Sequence, residues 1–191
     1  MPNLTSLTTI WYNSRMSSKG GQTEQALYEP IKEYLMAAFK TKFGGECYLE
    51  TTANGTFSET IKRLVRHDII FSFLRKKASP DLTGFYLRES DYLPIPLDEV
   101  GVKNPITVEI KREKVTPQDI YQAKMYGDLF QAKYALLISP QPIPEEIKRL
   151  DKYLFVTGRF MSGWGLYIGQ WITDGRKNTI SEWFPHSPFQ D

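Results

Sequence analysis

Two short motifs carry acidic and basic side chains that could assist hydrolysis of a phosphate ester. The first is Pro80-Asp81, and the second, further along the chain, is Glu109-Ile110-Lys111. Magnesium prefers hard oxygen ligands and usually takes one or two carboxylates from a protein. A metal held in this way lowers the pKa of a bound water and offsets charge on a phosphate. A nearby ammonium stabilises negative charge that develops during the reaction.

The second motif has the alternation of a β-strand. In an extended strand, side chains alternate between the two faces, so Glu109 and Lys111 share one face. Val108 and Ile110 then point to the opposite face, where they can pack in a core. A half-exposed edge strand would show the same pattern. A buried cluster of charges without catalysis would also use these residues, so the spacing alone does not choose between a structural and a chemical role.

A helix with a well-defined start follows this strand. Thr116 is suited to cap it, with Pro117 as the first helical residue and Asp119 at the third position, and we expect the helix to run to about Ala132. On this helix Gln122 shares a stripe with Met125 and Leu129. An amide buried on an apolar stripe must find hydrogen-bond partners. The next stripe, with Tyr126 and Phe130, is predicted to be core.

The remaining pattern predicts one α/β domain with a sheet between helices. A helix from Thr23 to about Lys40 carries Glu24 in its first turn and is expected to bend or divide at Pro30. We predict an N-terminal arm over 1–21, a short helix over 58–65, a helix over 145–150, a loop over 89–104, and strands over 46–51, 69–74, 82–88, 106–111, 134–139, 153–160, 166–173 and 180–184. Strand 134–139 is expected at the centre of the sheet. Residues 153–191 are predicted to be a β-rich extension of the same domain.

Composition limits the classes of protein that fit. The net charge is +2, from 24 basic and 22 acidic residues, which neither demands nor excludes a nucleic-acid partner. Cys47 is the single cysteine, so the sequence offers no disulfide framework and no cysteine-rich zinc or iron–sulfur site. It shows neither a signal peptide nor an apolar run long enough to span a bilayer. We therefore expect a soluble, cytoplasmic protein that does not associate with membranes.

Taken in order, the motifs resemble those of the PD-(D/E)xK, or restriction-endonuclease-like, nuclease superfamily. The matching parts are an acid on the first helix, the Pro-Asp pair, the Glu-x-Lys strand and a glutamine on the following helix: Glu24, Pro80-Asp81, Glu109-Ile110-Lys111 and Gln122. The order agrees over roughly residues 22–140 and predicts a nuclease-like core over 22–152. The resemblance implies a mixed central sheet flanked by helices, and metal-dependent hydrolysis of phosphodiester bonds, with DNA as the expected substrate.

The resemblance also implies a role for each site residue. Asp81 and Glu109 would ligate Mg²⁺ or Mn²⁺, with the carbonyl of Ile110 as a further ligand. Lys111 would orient the attacking water and stabilise charge on the phosphate. The remaining two residues have supporting roles: Glu24 would contact the metal through water, and Gln122 would position Lys111 or a phosphate.

Several alternatives stay open on the sequence alone. Asp68 precedes an apolar run and could take the place of Asp81, and Glu113 could join the site if the strand continued past Lys111. A catalytically inactive module with the same fold, binding nucleic acid or another protein, would share these features. The sequence does not decide between DNA and RNA, between duplex, single-stranded and branched substrates, between endonuclease and exonuclease, or between a monomer and a homodimer.

Overall fold

A six-stranded mixed β-sheet forms the centre of the fold. The computed structural model describes residues 23–65, 70–71, 74, 79–87, 104–159, 165–175 and 177–190. The strands are β1 (Glu46–Thr51), β2 (Leu82–Leu87), β3 (Asn104–Ile110), β4 (Tyr134–Ser139), β5 (Leu166–Asp174) and β6 (Lys177–Phe184), and they lie side by side in chain order. Strands β3, β4 and β5 are parallel, while β1–β2, β2–β3 and β5–β6 pair antiparallel. The predicted α/β class with a mixed sheet is therefore confirmed.

Helices cover both faces of this sheet. The helices whose full bounds fall in the described residues are a 3-10 helix (Glu24–Leu27), α1 (Tyr28–Phe43), α2 (Glu59–Lys62), α3 (Pro117–Leu129) and α4 (Glu145–Leu154). Because side chains alternate along a strand, Ile106, Val108 and Ile110 join the core under α1. Ala135 and Leu137 point the other way and pack under α3 and α4. The predicted central strand β4 is buried along its whole length, which confirms its place inside the sheet.

The first helical segment is divided where proline predicted a disturbance. A 3-10 turn ends at Leu27, and α1 begins at Tyr28, so Pro30 lies in the first turn of α1. The missing N–H of proline is tolerated there, because the first N–H groups of a helix have no acceptor within it. The helix continues past the predicted end at Lys40 and stops at Gly44, whose φ of 68° reverses the chain.

Two predicted strands are wrong. Within the run 69–74, Ile70 and Phe71 are helical, and the amide of Leu74 donates to the carbonyl of Ile70. A short apolar run fits a buried helix as well as a strand, and here Phe71 packs on Phe57 with ring centroids 5.0 Å apart. The run 153–160 fails because α4 continues to Leu154 and is closed by Phe155 in the left-handed region, with φ of 48°.

Other predicted elements are present, with shifted ends. The short helix is confined to Glu59–Lys62, capped by Ser58, and β5 and β6 from the predicted C-terminal extension complete the sheet. The predicted arm 1–21, the rival acid Asp68 and most of the loop 89–104 lie outside the described residues. In the part of the chain that the structure describes, no helix is long and apolar enough to cross a membrane.

Candidate active site

Asp81 and Glu109 lie opposite each other at the end of two paired strands. The antiparallel register of β2 and β3 pairs Leu82 with Val108, so one further step sets Asp81 opposite Glu109. Cβ atoms at such positions lie about 5 Å apart. The two residues are 2% and 1% exposed, respectively. The fold therefore brings together two buried carboxyl groups that are far apart in the sequence.

A buried hydroxyl network fixes the corner that carries Asp81. The hydroxyl of Thr52, at the end of β1, donates to the carbonyl of Pro80 at 2.8 Å, and the Ser79 hydroxyl donates to the carbonyl of Thr52 at 2.8 Å. The amide of Thr52 donates to the carbonyl of Asp81, also at 2.8 Å. These bonds attach the segment before β2 to the neighbouring strand, so the backbone of Asp81 is held in one place.

Tyr28 on α1 contacts the same carboxylate. Its hydroxyl donates to Oδ1 of Asp81 at 2.7 Å and lies 3.3 Å from Oε1 of Glu24. The amide of Ile110 donates to Oδ2 of Asp81 at 2.7 Å. The sequence predicted Glu24 near the site but missed Tyr28, whose signal was its position four residues after Glu24 on the same helical face. Tyr28 thus links the first helix to the strand ends.

Lys111 and Gln122 converge on one oxygen of Glu109. Lys111 Nζ donates to Oε1 of Glu109 at 2.6 Å, and Gln122 Nε2 donates to the same atom at 2.9 Å. Lys111 follows the last residue of β3, but its amide still donates to Ile138 on β4, which keeps its side chain on the face of Glu109. Oε2 of Glu109 is buried and has no hydrogen-bond partner among the described residues.

The capped start of α3 positions the side chains above Glu109. Thr116 and Asp119 form the predicted capping box, with the Thr116 amide donating to Oδ2 of Asp119 at 2.8 Å and the Asp119 amide donating to the Thr116 hydroxyl at 3.3 Å. Oδ1 of Asp119 lies 3.6 Å from Lys111 Nζ. A residue predicted only as part of a cap therefore also forms an ion pair with the site lysine.

The stripe assigned to Gln122 is only partly right. Met125, predicted to share an apolar stripe with it, is 45% exposed, whereas Tyr126 and Phe130 are buried as predicted. Gln122 lies at the flank of the buried stripe and donates to the Tyr126 hydroxyl at 3.2 Å as well as to Glu109. The amide is therefore held between the core and the site.

Burial makes Asp81 and Glu109 weaker acids than they are in water. Desolvation, opposed in part by the bonds from Tyr28 and Ile110, raises the pKa of Asp81 from 3.8 to about 6. Desolvation and repulsion by Asp81 raise the pKa of Glu109 from 4.5 to about 8, although Lys111 opposes the rise. Burial alone would lower the pKa of Lys111, but attraction to Glu109 and Asp119 raises it. One ammonium thus does not balance the negative charge that the acids would carry when ionised.

The donor set fits a hard divalent cation with few protein ligands. The described residues contain no group of three or more His, Cys, Asp and Glu side chains arranged around a metal position. Asp81 and Glu109, whose Oε2 has no hydrogen-bond partner among the described residues, would offer the few oxygens that Mg²⁺ takes while it keeps several waters. A cation there would also offset the excess negative charge.

Glu113 is excluded from the cluster by the end of the strand. Its side chain is 78% exposed and pairs with Arg112 at 3.8 Å, because β3 stops at Ile110 and the chain turns away. Of the two alternative acids, Asp81 and Asp68, only Asp81 lies in the described part of the chain, and it lies opposite Glu109. Asp81, Glu109, Lys111, Gln122 and Glu24 are therefore the predicted residues that the fold brings together.

No protein-family model, no curated protein and no solved structure matches this chain. The chemistry of the site therefore has to be inferred from its own geometry.

Proposed function

We propose that this protein is a Mg²⁺- or Mn²⁺-dependent phosphodiesterase that hydrolyses DNA. The observation that carries the proposal is the pair of buried, opposed carboxyl groups Asp81 and Glu109, with Lys111 Nζ 2.6 Å from Glu109. Burial raises the pKa of both carboxyl groups, and the single ammonium of Lys111 does not balance their charge when both are ionised. Groups with strongly perturbed pKa values that converge at one place are candidates for function. The resemblance to PD-(D/E)xK nucleases supports the same reaction class.

Asp81 and Glu109 would hold the metal, with the Ile110 carbonyl beside them. When bound there, a divalent metal would supply a water of lowered pKa and offset the charge of the phosphate. Glu109 offers Oε2, which has no hydrogen-bond partner in the part of the chain that the structure describes, while its other oxygen accepts hydrogen bonds from Lys111 and Gln122. Asp81 is held for the same purpose by Tyr28 and Ile110. The carboxyl groups are thus oriented before a metal arrives.

Lys111 is the residue suited to act on the phosphate. Its ammonium is anchored between Glu109 and Asp119, and 16% of its side chain is exposed. Held at that position, it can donate to the attacking water and stabilise charge on the phosphate oxygens. Gln122 donates to Glu109, so its role in this proposal is to orient that carboxylate. Glu24, 3.3 Å from the Tyr28 hydroxyl, would act through water.

DNA cleavage assays test the proposal. Native protein would be incubated with supercoiled plasmid and with a single-stranded oligonucleotide, in Mg²⁺, in Mn²⁺ and in EDTA. We expect cleavage with either metal and none in EDTA, and a drop of roughly 10²–10³-fold in Lys111→Ala, the size found for removing one charge-stabilising donor. Lys114→Ala is the matched control, because this nearby lysine is 64% exposed and makes no contact with Glu109. It should stay within twofold of native.

Two results would contradict the proposal: no cleavage of either DNA by native protein, or equal cleavage by native protein and Lys111→Ala. An RNA oligonucleotide of the same sequence, assayed in parallel, identifies the nucleic acid. The inactive-module alternative gives a different pattern. It would bind nucleic acid in a salt-dependent way, and Mg²⁺ titration would reveal no site that Asp81→Asn removes.

A further inference from the structure

A cleft of about 470 Å³ lies near the carboxyl cluster, and its lining residues differ from those of the candidate active site. Four segments line it: the 3-10 helix at Leu27, the chain after β3 at Arg112 and Glu113, the chain after β4 at Pro140 and Gln141, and the last part of β5 at Trp171–Thr173. Leu27 precedes Tyr28, and Arg112 follows Lys111. Two lining residues of the cleft are therefore direct chain neighbours of residues in the candidate active site.

The β5–β6 hairpin makes the outer wall of this cleft. The pairing of β4 with β5 ends at Ser139 and Gln170, but β5 continues to Asp174 while paired with β6. At ~3.3 Å per residue the hairpin projects about 13 Å past the end of β4. The crevice outside the carboxyl ends of parallel strands is the usual place for ligands in open α/β sheets. The cleft lies at that edge, because β3, β4 and β5 are parallel.

The lining offers separate contacts for an anion and for a flat apolar group. Arg112 brings a guanidinium to the wall of the cleft, with 29% of its side chain exposed and its Nε 3.8 Å from the exposed carboxylate of Glu113. A guanidinium can bind a phosphate through two parallel hydrogen bonds. Ile172, 37% exposed, supplies apolar surface. The indole Nε1 of Trp171 is buried without a hydrogen-bond partner among the described residues, so it lacks the acceptor that buried donors normally have.

We propose that this cleft binds one unpaired nucleotide next to the scissile phosphate, so that the substrate is single-stranded DNA or a frayed duplex end. This inference rests on the proposed function. A nucleotide combines an anionic phosphate, for Arg112, with a base whose faces are apolar and whose edges are polar, for Ile172 and Gln141. The volume falls in the range of pockets that enclose one small ligand. A base that remains paired in a duplex cannot enter such a cleft without leaving the stack.

Binding in EDTA tests the cleft without requiring cleavage. A fluorescently labelled single-stranded oligonucleotide and a blunt duplex of the same sequence would be titrated with protein, and anisotropy would be followed. We expect the single strand to bind more tightly than the duplex. Arg112→Gln should raise the Kd for the single strand about tenfold or more, as expected when a hydrogen-bonded charge is lost. Lys114→Gln removes the same charge two residues away and should change that Kd less than twofold.

A second variant guards against an effect of Arg112 on folding. Ile172→Asp places a negative charge on an exposed wall position and should also weaken single-strand binding, with an unchanged circular dichroism spectrum. Equal effects of Arg112→Gln and Lys114→Gln, or binding of duplex as tight as of single strand, would overturn the inference. Failure of the proposed function looks different, because native protein would then cleave no DNA in Mg²⁺ or Mn²⁺ whatever the binding data show.

Discussion

Replacing Glu109 by glutamine should stabilise the protein at alkaline pH. The folded state holds a proton on Glu109 that the unfolded chain releases, since its pKa rises from 4.5 to about 8 on folding. Between those two values the folded state binds more protons, so stability falls as pH rises and the whole loss is present above pH ~8. Asp81 adds the same trend between 3.8 and about 6. The glutamine amide carries no charge, so Glu109→Gln should lose most of this dependence.

The magnitude follows from the size of the shift. A rise from 4.5 to about 8 corresponds to about 5 kcal/mol, at ~1.4 kcal/mol per pH unit. Part of it is repulsion shared with Asp81, so we expect a gain of about 3–5 kcal/mol at pH 9. At pH 5 the native side chain is protonated and resembles glutamine, so the two proteins should agree within about 1 kcal/mol. The ion pair with Lys111 does not reverse the sign of this stability gain, because its attraction already lowers the pKa of Glu109 and is included in the value of about 8.

Urea unfolding followed by tryptophan fluorescence, at pH 5 and pH 9 in EDTA, measures this gain. A difference of 3–5 kcal/mol moves the midpoint by roughly 1–3 M at an m-value of ~2 kcal/mol/M. Glu113→Gln is the matched control, since this carboxylate is nearby and 78% exposed, and it should follow the native pH dependence. The reasoning is refuted if native protein and Glu109→Gln lose the same free energy of unfolding between pH 5 and pH 9.

Three further outcomes follow from the same contacts. Mg²⁺ at about 100 times its Kd should stabilise native protein at pH 8 by ~2.7 kcal/mol but should leave the stability of Asp81→Asn unchanged. If Mg²⁺ raised the urea midpoints of native protein and Asp81→Asn equally, the proposed metal ligands would be contradicted. Tyr28→Phe keeps the ring but removes the hydrogen bond to Oδ1 of Asp81, so the pKa of Asp81 should rise further. The acidic limb of the pH–rate profile should then move to higher pH. Tyr121→Phe, which changes an exposed ring, should leave that limb where it is. Thr116→Ala should lower the free energy of unfolding by about 1 kcal/mol, because the capping box is lost. Urea unfolding measures the loss against Thr173→Ala, a control on an exposed strand end. Equal stability of the two variants would show that the cap contributes nothing.

Local patterns in the sequence were sufficient for several parts of the site. The prediction of a helix start at Thr116-Pro117, with Asp119 at the third position, was correct, because capping is a contact between residues three positions apart. The common face of Glu109 and Lys111 was correct because alternation along a strand is a property of the chain itself. The two wrong strands, 69–74 and 153–160, are apolar runs, for which periodicity does not separate a strand from a helix.

Contacts between distant segments were decided only by the tertiary structure. The sequence determined that Asp81 precedes one extended segment and that Glu109 lies near the end of another, but only the antiparallel register of β2 and β3 sets one opposite the other. The sequence analysis did not predict the contact of Tyr28 with Asp81 or of Asp119 with Lys111, because these side chains meet across different elements. Burial and charge at a point in space depend on every element packed around it. For that reason the sequence shows which acids are present, while their raised pKa values appear only in the fold.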